Sequence, residues 1–138
     1  MSEEIQFDPA MFKHLEDRAK GTFWDFLGCK LHSLESNKVV ISLEIKPHHL
    51  NPIGIVHGGV STTMLDNAMG ISALLTRPGE KMVTSNLNVH FVAPLKLGTI
   101  YATAEVIHQS RKSLTVSGSV TDEQGQLGTY GTGSFRVI

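Results

Sequence analysis

At 138 residues, with 41% hydrophobic, 18% charged and 7% aromatic side chains, the chain has the size of one globular domain with a lightly charged surface, part of it expected to be covered between subunits. The formal charge is −1, and Lys13, Lys20, Lys38, Lys46, Lys81, Lys96, Arg111 and Lys112 are scattered, so no stripe tracks a phosphodiester backbone and nucleic acid is not expected as a partner. One cysteine, Cys29, excludes an internal disulfide and any multi-cysteine metal site and reads as a small buried thiol. The acidic start of the chain and the lack of any apolar run of about 18 residues lead us to expect a cytoplasmic protein without membrane contact.

Asp8-Pro9 pairs an N-cap residue with proline at the first helical position, and Met11, Leu15 and Ala19 recur every four residues, which predicts a short amphipathic helix over 8–20. Across 26–47 the period falls to two, with Val39, Ile41, Leu43 and Ile45 on one face and a turn at Glu35, Ser36 and Asn37, the pattern of a hairpin. A long helix is predicted over 58–75, where Val60, Met64, Ala68, Ile71 and Leu75 recur at three and four. Period two then returns in Val83, Leu87, Val89 and Phe91, in Ile100, Ala102, Ala104 and Val106, in Leu114, Val116 and Val120, and in a last strand over 127–137. Breaks at 94–98, 110–112 and 122–125 are short enough that these four strands should run antiparallel. The helix would span about 27 Å and the strands about 26–33 Å, so a sheet can wrap it. No repeat or linker divides the chain, and 1–138 is expected to be one α+β domain with 1–20 as its N-terminal helical segment.

Between Pro47 and Thr76 the only Asp, Glu, Lys or Arg is Asp66, inside an otherwise apolar or small helix. At about 100° per residue Asp66 falls opposite Val60, Met64 and Ile71 and beside Thr62, Gly70 and Ala73, on a face small enough for a ligand or another subunit to approach. A carboxylate desolvated there suits a general base or nucleophile; a solvated acid is the alternative. Upstream, the irregular stretch from Asn51 through His57, Gly58 and Gly59 ends where the helix begins. Paired glycines admit a carbonyl close to the backbone, and the N–H groups of a first helical turn can form an oxyanion hole, although a tight turn alone also explains a Gly-Gly pair. His57 can orient the loop, donate to a carbonyl or act as a base, although a lone histidine beside a turn is more often a hydrogen-bonded structural residue; His48, His49, His57 and His90 lack a metal-ligand spacing, so no metal is expected. Gly-Val-Ser-Thr-Thr at 59–63 is not a nucleophile elbow. Ser110, Arg111 and Lys112 form a small cationic cluster at a strand connection, able to hold phosphates and equally ordinary as a solvated turn.

Taken together, Asn51, His57-Gly58-Gly59 and Asp66 nine residues after His57, followed by Asn88-Val-His-Phe-Val-Ala-Pro94 and Gly98, resemble the hotdog thioesterases of the phenylacetate-degradation type, related to one class of 4-hydroxybenzoyl-CoA thioesterases; the resemblance covers about 20–138. It implies an antiparallel sheet of about six strands around one central helix, sites at dimer interfaces, often a tetramer, and hydrolysis of an acyl-CoA or aryl-acyl-CoA without a cofactor. By the same resemblance Asp66 is base or nucleophile, the Gly58 N–H the oxyanion donor, Asn51 a group positioning thioester or water, and His57 a supporting residue. The family's hydroxyl one turn beyond the acid is replaced by Gly70, leaving Thr84, or Ser85, for that role; Ser110, Arg111 and Lys112 with Arg136 would meet the nucleotide end of coenzyme A. Two rivals stay open: hydratase or dehydratase chemistry on the same fold, and an acyl-CoA-binding module without turnover.

Overall fold

The period-two stretches become strands. The computed structural model describes residues 9–35 and 37–138, and in it β1 (Lys30–Glu35), β2 (Lys38–Glu44), β3 (Met82–Phe91), β4 (Thr99–Gln109), β5 (Ser113–Thr121) and β6 (Leu127–Val137) form an antiparallel sheet in the order β1-β2-β4-β5-β6-β3. Val39, Ile41, Leu43, Ile100, Ala102, Ala104, Leu114, Val116 and Val120 alternate inward and are buried. Although β3 precedes β4 directly, the two do not pair: β2 flanks β4, and β3 crosses to the far side of the sheet to pair with β6, which makes it an edge strand.

One long helix, α3 (Gly58–Thr76), packs on the inner face against β2 to β6, ending one residue beyond the predicted limit. Its buried side is Val60, Ser61, Met64, Leu65, Ala68, Met69, Ser72 and Ala73. That face is rotated by about 60° from the expected stripe: Leu65 and Met69 enter the core, Ala73 is buried instead of lining the open face, and Ile71 is only half-buried. The sheet supplies the reason. Gly118 and Gly131 are cross-strand partners beneath the helix, and a Cβ on Gly118 would lie 2.9 Å from Leu65 Cδ2 and 3.0 Å from Met69 Cε, so missing side chains there make the hollow into which these two fit.

The predicted first helix is α1 (Pro9–Ala19), whose Phe12 and Leu15 rest on the core; its expected cap, Asp8, lies outside the described residues, as does Ser36 of the hairpin turn. A second short helix, α2 (Phe23–Leu27), occupies the start of the segment expected to be strand. It stops at Gly28, whose left-handed φ of 97° lets its N–H reach the Trp24 and Asp25 carbonyls. No helix of the described residues is long and apolar enough to cross a membrane.

Candidate active site

Before α3 the chain makes a loop held by its own side chains. Asn51 Oδ1 accepts the Ile53 and Ile55 N–H groups at 3.1 and 3.2 Å, while Asn51 N–H donates to the Ile55 carbonyl at 2.8 Å. The amide oxygen of Asn51 is thus spent on shaping the loop. His57 caps α3: its Nδ1 accepts the Gly59 N–H at 2.8 Å, so its neutral ring carries the proton on Nε2. Val60 and Ser61 donate to the His57 carbonyl. Of the first-turn donors, the Gly58 N–H is the one without an acceptor among the described residues, and it stands at the positive end of the helix dipole. The site is tight but not closed to a side chain: a Cβ would lie 3.0 Å from Cε1 of Phe91, a residue 61% exposed, whose ring need give by only a few tenths of an ångström.

Two turns further along, Asp66 accepts a 2.7 Å hydrogen bond from Thr84 Oγ1. A bulge makes this possible. β3 pairs Thr84 with Phe135 and Asn86 with Ser134, so Ser85 is an extra residue and the inward face switches parity. Met82 and Thr84 then face α3, and Val83, expected on the inner face, is turned outward and 45% exposed. Ser85, the other hydroxyl candidate, bonds the Ser134 carbonyl at 3.0 Å instead. Asp66 and Thr84 border a cavity of about 350 Å³ that continues along the open face of α3, past Asn67, Gly70, Ile71 and Leu74, with Met82, Phe135 and Glu80 as its remaining wall. The hydroxyls of Thr62 and Thr63 are taken by the carbonyls of Gly58 and Gly59, four residues back, at 2.8 Å each.

Ser110, Arg111 and Lys112 lie exposed in the β4–β5 turn. Arg136 is paired with Ser113 and Val83 and alternates with the inward Phe135, so it stands on the outer face of the sheet, away from the Asp66 cavity. Among the described residues Arg111, Lys112 and Arg136 make no ion pair. Nothing in the periodicity pointed to Arg77, the C-cap of α3, whose guanidinium reaches this turn from 33 residues away.

His49 is buried with both ring nitrogens in use: Nδ1 accepts the Lys46 N–H and Nε2 donates to the Leu27 carbonyl, each at 2.8 Å. Burial holds its pKa below the usual imidazole range, reinforced by His48 and Lys46 and opposed by the Leu27 bond. Cys29 is buried too; desolvation pushes its thiol up to about 11 against the smaller effect of the Asn67 amide. It is structural rather than reactive.

Residues 53–129 match the family described as the thioesterase superfamily. Over 94 residues the chain is 32% identical to acyl-coenzyme A thioesterase 13 of Homo sapiens, covering 67% of each. A Bacillus halodurans protein crystallised with CoA superposes with a TM-score of 0.81 at 31% identity, covering 94% of this chain and 87% of that one. The PaaI protein of the E. coli phenylacetic acid degradation operon superposes at 0.83 with 22% identity, covering 94% and 92%, a likeness of fold.

Proposed function

Because this chain belongs to the thioesterase superfamily, with the hotdog fold of its relatives and acyl-CoA thioester hydrolysis as its reaction, we propose that Asp66 and Thr84 of one protomer work with the Gly58 N–H of a second. Asp66 carries this reading: it is the sole acid of α3, fixed by a 2.7 Å hydroxyl bond at the mouth of a cavity. Gly58 of the same chain is eight residues away, about 12 Å along the helix axis, and the backward lean of the Asp66 side chain recovers only a few ångströms. One carbonyl carbon about 3 Å from the carboxylate cannot also place its oxygen on that N–H.

A two-fold partner resolves the distance. β3 is an unpaired edge with Phe91 and Val83 exposed, a form of edge that invites a second strand. Antiparallel pairing of two such strands about their midpoint would set Met82 of one opposite Phe91 of the other, and Gly58 lies against Phe91. The partner's Gly58 N–H would then face the pocket that holds Asp66 and Thr84.

In that site the thioester oxygen accepts the Gly58 N–H as negative charge builds on it. Asp66 either attacks the carbonyl carbon, expelling the coenzyme A thiolate and leaving an anhydride that water opens, or removes a proton from the water that attacks directly. Thr84 keeps one carboxylate oxygen oriented, and His57, by holding the Gly59 N–H, fixes the turn that presents its neighbour. Asn51 acts through the loop. The exposed, unpaired cations Arg111 and Lys112 beside Ser110, with Arg136, meet the nucleotide phosphates; the CoA-bound relative supports a coenzyme A ligand.

The test is thiol release from a panel of aryl and straight-chain acyl-CoAs by the wild type and Asp66→Asn, with folding checked in parallel. Loss of at least about a hundredfold in kcat supports the reading, and the panel identifies the acyl class. Equal turnover by both proteins would remove Asp66 from the chemistry.

A further inference from the structure

Arg77 serves none of the steps above, yet it makes more polar contacts than any other side chain near the cavity. Its Nη1 donates to the Ser110 carbonyl at 2.8 Å and to Gln109 Oε1 at 3.4 Å, and its Nη2 donates to the Arg111 carbonyl at 3.0 Å and lies 2.8 Å from Glu80 Oε2. Its side chain is only 20% exposed. A helix that ends normally at Arg77 has no need of a fork closing on a hairpin 33 residues away.

The hairpin has the need. Its two central residues, Arg111 and Lys112, have negative φ, since Asn37 is the one described non-glycine residue with positive φ. It therefore lacks the primed turn whose twist matches paired strands. Nor does it make the usual closing bond from the Ser113 N–H to the Ser110 carbonyl: that carbonyl goes to Arg77, while Ser110 N–H to the Ser113 carbonyl at 2.8 Å, a Ser110–Ser113 hydroxyl contact at 3.1 Å and the Val137 N–H on the Lys112 carbonyl at 2.9 Å leave the carbonyls of Ser110 and Arg111 to the guanidinium. Two adjacent cations that repel each other sit on a turn of unfavoured twist, and a guanidinium, itself held by Glu80, restrains it from below. Arg77 also ends the helix that carries Asp66, eleven residues or about 16 Å along the axis, and the cavity runs along α3 between them toward Glu80.

We propose that Arg77 is a positioning residue: its fork between the carbonyls of Ser110 and Arg111 holds the 110–112 turn in the shape and place that grip the phosphates of coenzyme A, at a fixed reach from Asp66. This rests on the acyl-CoA reading and on the assignment of that turn to the nucleotide end. Arg77 touches no substrate atom. It sets how well the enzyme distinguishes a coenzyme A thioester from the same acyl group on a pantetheine without the nucleotide.

The experiment compares KM and kcat for one acyl group carried on coenzyme A and on pantetheine, in the wild type, Arg77→Gln, Arg77→Lys and the double variant Arg111→Gln/Lys112→Gln. Arg77→Gln is expected to lower the preference in kcat/KM for the coenzyme A ester by about tenfold, through KM rather than kcat. Arg77→Lys, which keeps the charge but loses the planar fork, should fall between. The double variant should lose the same preference. If Arg77→Gln depresses both esters in equal ratio, or leaves the preference intact while the double variant loses it, Arg77 only stabilises the fold and the proposal fails. If the double variant too keeps the full preference, the turn does not hold the nucleotide; that overturns the underlying assignment together with the role of Arg77.

Discussion

Replacing Thr84 with valine isolates the contact on which the orientation of Asp66 depends. Valine keeps the β-branched shape of threonine and removes only the hydroxyl, so β3 should retain its bulge and its register with β6. What is lost is the 2.7 Å bond to Asp66 Oδ1. Hydrogen bonds to charged groups contribute about 1.5–3 kcal/mol when sheltered. Thr84 is exposed in the single chain and would be sheltered only by the proposed partner across β3, so the lower half of that range is the better expectation. At 1.36 kcal/mol per tenfold, kcat should fall roughly ten- to fortyfold. Thr84→Ser, which restores the donor, should stay within about threefold of wild type. Steady-state thiol release at saturating acyl-CoA measures both, with thermal melts to confirm folding. The reasoning is refuted if valine retains wild-type kcat, or if serine falls as far as valine; a gain in kcat would mean the hydroxyl restrains the carboxylate more than it aims it.

Other consequences follow from the packing and from the buried titratable groups. A Cβ on Gly128 would collide with the side chain of Leu95, itself buried, so Gly128→Ala should cost about 1–3 kcal/mol in denaturant unfolding. His49 is held neutral in the fold while the unfolded chain binds a proton near pH 6.5. Folding stability should therefore decline as pH drops below about 6.5 and level off only below the depressed native value, and the part of that slope owed to His49 should vanish in His49→Gln. With its thiol pushed up to about 11, Cys29 should exist as thiolate in only about one molecule in a thousand at pH 8. A disulfide reagent should modify it slowly in the native protein and rapidly once urea unfolds the chain.

Much of this was legible in the sequence where periodicity carries the information. The long helix, the strands and the isolated acid Asp66 all follow from spacing, and Thr84 was reached through resemblance. What the pattern missed has identifiable causes. A five-residue helix such as α2 is too short to show a period, and its stop depends on the left-handed Gly28. The bulge at Ser85 inverts the alternation that had put Val83 inside. The burial face of α3 was displaced because Gly118, Gly131 and Gly133, which make room for Leu65 and Met69, lie more than forty residues downstream. Arg77 acts on backbone carbonyls, which have no sequence signature at all. Asn51 could be seen to matter, but its amide oxygen turned out to belong to its own loop.

The shared site is tested most directly by mixing two inactive chains. Asp66→Asn removes the carboxylate; Gly58→Pro removes the N–H at the first helical position, where proline is well tolerated. In a dimer refolded from equal amounts of both, each mixed pair keeps one intact site, formed by Asp66 of one chain and Gly58 of the other, and destroys the second. About half of the dimers are mixed, so acyl-CoA hydrolysis should return to about a quarter of the wild-type rate. A mixture as inactive as its two components, shown by mass to contain mixed dimers, would contradict the shared site and with it the assignment of Asp66 and Gly58 to a single reaction.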